Sequence, residues 1–222
     1  MIHGERVRLR RVEREDLARF AAWLNDPEVR RHLALVYPMG MANEEAWFEA
    51  QLKAEPAVQP YAIDVRALST VHSRAPAARK ASSSRSPRNQ SAARGSRDAP
   101  PPPAAAGPDP AWTHVGGAGF HSVDWPSRCA ELGIVLGSRD SWGQGYGTDA
   151  TRALVGWGFR ELNLNRVWLR VFEDNARGIR CYEKVGFRLE GRLRQDRFRE
   201  GRYLDTLVMG VLRDEFQDPG PA

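Results

Sequence analysis

Residues 171–187 read VFEDNARGIRCYEKVGF, a segment in which a strand pattern passes directly into a short helix that ends in Gly-Phe. The strand is predicted over 166–172 (RVWLRVF), a segment that contains several β-branched and aromatic residues. Asn175 is a favoured helix N-cap and Gly186 stands where a glycine commonly ends a helix, so the helix is predicted over 175–184. A strand followed at once by a helix indicates a protein of the α/β class.

A second segment, 142–148, sets glycines at every other position just before a longer helical pattern. Its residues are Trp142, Gly143, Gln144, Gly145, Tyr146, Gly147 and Thr148. Glycines let a backbone approach a ligand closely, and a helix N-terminus offers free N–H donors, which suits a phosphate or pyrophosphate. A P-loop would need Lys-Ser/Thr after the last glycine, and a dinucleotide-binding motif an acidic residue on the next strand; the sequence has neither. Taken alone, the segment is equally compatible with a tight turn before a helix.

Outside these two motifs, hydrophobic residues at strand-like and helix-like spacing predict the remaining elements of the chain. Strands are predicted at 6–10, 61–65, 114–124, 129–136, 187–194 and 203–212. Helices are predicted at 15–24, from Pro27, at 44–54 with Asn43 as N-cap, and after the glycine segment. Trp47, Phe48 and Leu52 are predicted to enter the core. This order predicts an α/β (α+β) sandwich with a mixed, mainly antiparallel sheet flanked by helices.

One segment, 68–111, differs in composition from its surroundings, because it consists mostly of Ser, Ala, Arg and Pro. Such a composition cannot bury enough apolar surface to offset the entropy of ordering, so we predict a disordered loop insertion inside a single domain that spans 5–213. Between residues 69 and 110 lie 7 basic and 2 acidic residues, which accounts for the net charge of +5 of the whole chain. The basicity therefore belongs to the insertion and not to the folded body.

Together, the segments 142–148 and 171–187 resemble the GNAT superfamily of N-acetyltransferases. The opening at 6–29, RVRLRRVEREDLARFAAWLNDPEV, is similar to the branch that contains the ribosomal-protein alanine N-acetyltransferases (RimJ/RimL type) and the spermidine acetyltransferases. The resemblance covers 5–66 and 112–213. It implies the fold of that family, acetyl-CoA as co-substrate and an amine as acceptor.

The resemblance also implies roles for individual residues. The backbone around Gln144, Gly145, Gly147 and Thr148 would hold the CoA pyrophosphate, within a cofactor-binding segment that includes Trp142, Gly143 and Tyr146. The strand end Ile134, Val135 and Leu136 would pair with the pantetheine arm, and Asn175 would contact the pantetheine region. Tyr182 would lie near the thioester sulfur. The family usually has Arg or Gln where this chain has Trp142, although related members of the branch carry Trp there.

Acetyl transfer needs a neutral amine, donors for an oxyanion and a proton for the leaving thiolate. Tyr182, with a reference pKa of about 10, can supply that proton; its alternative role is that of a packing aromatic. Glu131 could act as general base, directly or through water, or could be a surface residue or an anchor for the amine. Cys181 could suggest a covalent acyl-enzyme, but no His-Asp pattern accompanies it. Because it is adjacent to Tyr182, it is expected to point away from that helical face and to serve as buried packing.

Other polar residues have ordinary explanations. His32 and His121 lack partners at recognisable spacing, and a surface ion pair is the expected role of Asp205. Only two cysteines occur, far apart, which excludes a disulfide scaffold and a zinc motif built on paired cysteines, and no metal site is predicted. The apolar runs are shorter than the roughly 20 residues of a membrane span, so a cytoplasmic protein with no membrane partner is expected.

Three hypotheses follow from the sequence. The favoured one is an active N-acetyltransferase, monomeric or homodimeric, that acts on a protein N-terminus or a small-molecule amine. The second is a ribosome- or nucleic-acid-binding protein that uses the basic insertion, which is disfavoured because long surface insertions are tolerated at small entropic cost. The third is an acetyl-CoA-binding sensor without catalysis.

Overall fold

The computed structural model describes residues 1–66, 111–217 and 220, so the predicted disordered insertion at 68–111 lies, apart from Ala111, outside the described residues. The strands are β1 Ile2–His3, β2 Val7–Arg11, β3 Tyr61–Arg66, β4 Trp112–Asp124, β5 Cys129–Leu136, β6 Arg166–Phe172, β7 Arg188–Arg199 and β8 Arg202–Leu212. The helices are α1 Leu17–Asn25, α2 Pro27–Arg30, α3 Met41–Lys53, α4 Tyr146–Glu161 and α5 Ala176–Glu183.

These strands form an eight-stranded sheet in the order β1-β2-β3-β4-β5-β6-β8-β7. The pair β5–β6 is parallel and the other neighbours are antiparallel. The prediction of a mixed, mainly antiparallel sheet flanked by helices is confirmed.

The sheet separates between β5 and β6. These strands pair only from Cys129, opposite Arg166, to Glu131, opposite Trp168. Beyond Glu131, β5 stays paired with β4 as far as Leu136, while β6 stays paired with β8. Since each strand keeps its other neighbour, the two halves of the sheet diverge. One backbone edge of β5, over 132–136, is left without a strand partner in the described part of the chain.

Helices cover both faces of the sheet. On β3, Tyr61, Ile63 and Val65 belong to the large core cluster that contains α4, whereas Ala62 belongs to a second cluster with residues of α1 and α3. Successive strand residues point to opposite faces, so α4 lies on one face and the α1–α3 pair on the other.

A buried ionic network fixes the start of α1 to the sheet. The Asp16 carboxylate accepts hydrogen bonds from both terminal nitrogens of Arg10, at 2.7 and 2.8 Å, and lies 3.0 Å from Nδ1 of His114. Arg10 Nε also donates to Asp64 at 3.0 Å. Asp16, Asp64 and His114 are all buried, so the network holds α1 in one position on β2, β3 and β4.

Two predictions for α3 are wrong. Gly40, not Asn43, is the N-cap; Asn43 is the third helical residue, and its side chain accepts from the Gly40 amide at 3.0 Å. Leu52 was expected in the core but is 56% exposed. It lies in the last turn of a 13-residue helix that packs on the 9-residue α1, so its side chain extends past the contact.

Strand β7 is longer than predicted, since it continues to Arg199. Register shifts between Leu189 and Gly191 and between Leu193 and Arg197 interrupt its alternation, and these irregularities hid the second half of the strand from the periodicity.

Candidate active site

A cleft of about 1030 Å³ opens where β5 and β6 separate. Most of the residues predicted for the site line it. They are Glu131, Ile134, Val135, Leu136, Trp142, Gly143, Gly145, Gly147, Thr148, Asn175 and Tyr182. Gln144 and Tyr146 are not among its lining residues. The fold therefore brings the two sequence motifs and the end of β5 into one cavity.

The glycine segment turns sharply before α4. Gly143 and Gly145 have φ values of +74° and +85°, in the left-handed region that favours glycine, and Gly145 is the N-cap of α4. Behind the turn, Arg6 donates through Nη2 to the Gln144 carbonyl at 2.7 Å, and its guanidinium lies 5.0 Å from the ring centre of the buried Tyr146. Gln144 and Tyr146 thus hold the turn in place from the side away from the cleft.

The N-terminus of α4 is anchored through Asp149. Its carboxylate accepts from the amides of Glu5 at 3.0 Å and Arg6 at 2.7 Å. Because the first-turn amides of a helix have no acceptor within the helix, the amides of Gly147 and Thr148 are directed at whatever occupies this end of the cleft. That arrangement can bind an anion.

Trp142 connects the glycine turn to β5. Its indole Nε1 donates to the Leu136 carbonyl at 2.7 Å, so that oxygen of the predicted pantetheine-pairing strand already has a protein donor. The guanidinium of Arg177 lies 3.8 Å from the centre of the indole ring. Partial burial lowers the pKa of Arg177 from its ordinary value, while the residue as a whole remains exposed.

Asn175 and Tyr182 lie on the segment that contains α5. Asn175 is the N-cap, as predicted, and its side chain accepts from the Gly178 amide at 3.0 Å. Tyr182 is buried, packs on Phe187 with ring centres 5.9 Å apart, and also lines the cleft. Burial, with a smaller contribution from Cys181, raises the pKa of Tyr182 above its ordinary value. The phenol is therefore protonated at neutral pH.

The expectation that Cys181 points away from this site is wrong. Thr148 Oγ1 donates to Cys181 Sγ at 3.5 Å, and both residues line the cleft. The error arose because α5 lies against the start of α4, so that neighbouring positions on α5 both border the cavity. Burial raises the pKa of the Cys181 thiol, which argues against a thiolate nucleophile.

Glu131 stands at the position where β5 leaves β6. Its Oε1 accepts from Arg170 Nε on β6 at 2.9 Å, and the carboxylate is largely covered. The ion pair therefore bridges the two strands at the point of separation and orients the Glu131 carboxylate in the cleft wall.

A family model described as the acetyltransferase (GNAT) domain matches residues 6–188. The chain belongs to the GNAT acetyltransferase family. Members of this family use acetyl-CoA as co-substrate. The anion-binding end of α4, beside a long cleft, fits the pyrophosphate and extended arm of that molecule.

Two relatives illustrate the similarity in sequence. An uncharacterised N-acetyltransferase, p20, from Bacillus licheniformis is 34% identical over 102 residues, which is 46% of this chain and 57% of that protein. A spermidine N(1)-acetyltransferase from Escherichia coli K12 is 33% identical over 89 residues, 40% of this chain and 47% of that protein. The chain thus spans about half the length of these relatives.

Solved structures confirm the GNAT fold. A spermidine N-acetyltransferase from Vibrio cholerae, in complex with CoA and spermine, has a TM-score of 0.70 at 17% identity and covers 96% of this chain and 98% of its own. A GNAT-family acetyltransferase from Bacillus anthracis has a TM-score of 0.66 at 18% identity, and the match covers 96% of this chain and 99% of that one.

None of the described helices is long and apolar enough to cross a membrane.

Sequence reasoning missed several charged residues that line the cleft of this GNAT protein. Arg177, Arg180 and Lys184 border it from α5 and beyond, and their spacing of three and four positions could have revealed a basic helical face. Glu44 of α3 also lines it and is 2% exposed. Glu44 stands three and four positions before Trp47 and Phe48, two residues predicted for the core, and this helical spacing could have indicated that Glu44 lies on the same buried face.

The remaining polar residues divide between site and surface. Trp47 and His121 line the cleft, and so does His32, whose Nδ1 lies 3.5 Å from Asp174 Oδ1. This neighbour is 142 positions away in the chain, so no recognisable spacing in the sequence indicated it. Asp205 forms the predicted ion pair, with Arg192 at 2.8 Å.

Proposed function

We propose that the protein is an acetyl-CoA-dependent N-acetyltransferase that moves an acetyl group to a primary amine by direct attack. The observation that carries this proposal is the separation of β5 from β6 directly in front of the glycine turn and α4, with Tyr182 bordering the same cleft. A strand edge with no strand partner among the described residues, a helix end suited to an anion and a protonated phenol are the three groups that bound acetyl-CoA would need.

For the donor, we propose that the first-turn amides of α4 at Gly147 and Thr148 bind the pyrophosphate. Arg177 and its neighbours on the basic face of α5 would add positive charge at this end. The free backbone edge of β5 at Ile134 and Val135 would pair with the pantetheine amides in the manner of an added strand. Asn175, which already caps α5, would contact the same arm.

For the chemistry, Glu131 accepts a proton from the acceptor ammonium, directly or through water, and the resulting neutral amine attacks the thioester carbonyl. As the C–S bond breaks, Tyr182 donates its phenolic proton to the sulfur, the nitrogen that now carries the acetyl group gives its remaining extra proton back to the phenolate, and the neutral amide and the CoA thiol leave. The raised pKa of Tyr182 keeps the phenolic proton in place until the thiolate forms. The Arg170 ion pair supports this role, because it holds Glu131 in one orientation in the cleft wall.

For the acceptor, the candidates are a protein N-terminus and a small-molecule amine. The second group of cleft residues, from α1, the 29–39 region and α3, would shape that pocket. The relatives named as spermidine acetyltransferases show that the fold can accommodate a small amine, and they do not decide the acceptor of this chain.

The proposal is tested by calorimetric titration of the full chain with acetyl-CoA, followed by CoA-thiol release over a panel of amines. Binding together with thiol release would support an acetyltransferase and identify its acceptor class. Binding without release for all amines and N-terminal peptides would favour a cofactor-binding sensor, and no binding of acetyl-CoA would overturn the proposal.

A further inference from the structure

The carboxylate of Glu44 is buried in the wall of the cleft without a counter-charge among the residues that the structure describes. The residue is 2% exposed and lines the cavity from the first turn of α3. Its Oε1 is inaccessible to solvent and has no hydrogen-bond partner among the described residues. Burial raises the pKa of Glu44 above its ordinary value. An unpaired buried carboxylate is costly, and such a group is expected where a ligand of opposite charge completes it.

The surroundings of Glu44 are aromatic and aliphatic. Trp47 lies one helical turn further along α3, and its ring is 6.1 Å from that of Phe20 on α1. Phe20 in turn covers β4, where a side chain at Gly117 would touch its ring. Leu24 and Val58 also line the cleft. The cleft wall contributed by α1 and α3 therefore combines one negative group with aromatic and aliphatic side chains.

The charges in the rest of the cleft are mainly positive. Within the described ranges, the carboxylates that line it are Glu44 and Glu131, and Glu131 is neutralised by Arg170. The cationic side chains that line it are Arg170, Arg177, Arg180, Lys184 and Arg197. A polycation would meet one unpaired carboxylate, so its additional ammonium groups would be left without anionic partners among the described lining residues.

We propose that Glu44 binds the acceptor ammonium from which Glu131 takes a proton, directly or through water, and that the acceptor is a monocationic amine attached to an apolar group rather than a polyamine. The chemistry is that of an arylalkylamine or of a peptide N-terminus whose first residue is apolar. This inference rests on the proposed acetyltransferase function and narrows its substrate class.

The test is calorimetric titration of the CoA-saturated full chain with three probes: phenethylamine, the dipeptide amide Phe-Ala-NH2 and spermidine. The wild-type protein is expected to bind at least one of the two monocations more tightly than spermidine. Tighter binding of phenethylamine would indicate a small-molecule acceptor, and tighter binding of Phe-Ala-NH2 would indicate a peptide N-terminus. In Glu44→Gln, which keeps the size of the side chain, binding of that monocation is expected to weaken by about ten- to a hundredfold.

The matched control is Glu45→Gln, the neighbouring position, whose carboxylate is partly exposed and pairs with Arg14 on the surface. This variant is expected to keep its affinity for the amine within about twofold of the wild-type value, because surface ion pairs contribute little free energy. Equal amine affinity of wild type and Glu44→Gln would overturn the inference. So would tighter binding of spermidine, or no binding of either monocation. Failure of the proposed function is separate, because it would appear as absent acetyl-CoA binding or absent thiol release in the wild-type protein.

Discussion

The indole Nε1 of Trp142 donates a hydrogen bond to the carbonyl oxygen of Leu136 at 2.7 Å, and this contact ties the end of β5 to the glycine turn before α4. The strand end and the turn are the two parts of the proposed acetyl-CoA site. Their relative position depends on a side chain at the motif position where the family usually has Arg or Gln. The first prediction concerns this contact.

Trp142→Phe is expected to weaken acetyl-CoA binding about two- to tenfold, because it removes one hydrogen bond worth about 0.5–1.5 kcal/mol and keeps a ring for Arg177. Calorimetry measures the change. Trp125→Phe is the matched control, since that indole donates to Glu55 at 2.8 Å at an exposed turn and does not line the cleft. Equal losses in both variants would contradict a specific role of Trp142.

Tyr182→Phe is expected to lower turnover by about a hundredfold, the lower end of the usual range for a general acid, and to leave acetyl-CoA affinity unchanged. Steady-state kinetics and calorimetry separate the two effects. Tyr61→Phe is the control, because Tyr61 is also buried but does not line the cleft. Unchanged turnover in Tyr182→Phe would remove this residue from the mechanism.

The pH dependence of turnover provides an independent check on Tyr182. Because burial raises its pKa above the ordinary value of 10.0, the phenol remains protonated throughout the neutral and mildly alkaline range. The wild-type rate at saturating substrate should therefore show no loss from tyrosine ionisation up to about pH 10. A fall in rate between pH 8 and 9 that disappears in Tyr182→Phe would show that the phenol ionises too readily for this role.

Gly145→Ala is expected to weaken acetyl-CoA binding by displacing the turn. At φ +85° a side chain costs about 1–2 kcal/mol, and the added Cβ would lie 2.7 Å from Arg6 Nη2, the atom that holds the Gln144 carbonyl. Gly201→Ala is the control, with φ +80° and no atom within 4 Å of the added Cβ. Both variants should lose stability, measured by thermal unfolding, and only the first should lose acetyl-CoA affinity.

Glu44→Gln is expected to raise the unfolding temperature of the ligand-free protein at pH 7 by about 2–4 °C, which corresponds to about 1 kcal/mol in a chain of this size. The folded-state pKa is raised above the ordinary 4.5, so the buried anion costs stability at neutral pH. That cost disappears as the pH falls toward 4.5 and the carboxyl becomes protonated. The advantage of the variant should therefore shrink between pH 7 and pH 5; an advantage that grows would contradict the burial of an unpaired anion.

Much of the fold and of the donor half of the site was predictable because its signals are local. The Asn175 cap, the bounds of β5 and β6 and the left-handed glycines at 143 and 145 depend on residues next to one another in the chain. Helix caps, strand alternation and glycine conformation each depend on a few neighbouring residues, so they can be recognised from the sequence.

The proposed acceptor half of the site depends on the tertiary structure. Glu44 is an ordinary polar residue in the sequence, and it becomes a buried carboxylate, unpaired within the described ranges, because α3 packs with α1 over the sheet. Cys181 meets Thr148 because α5 lies against the start of α4, and the cleft exists because β5 and β6 stop pairing at Glu131. The sequence by itself determined the elements and the turn before α4. The burial, charge pairing and cavity arose from contacts between distant segments, whose energies no local pattern encodes.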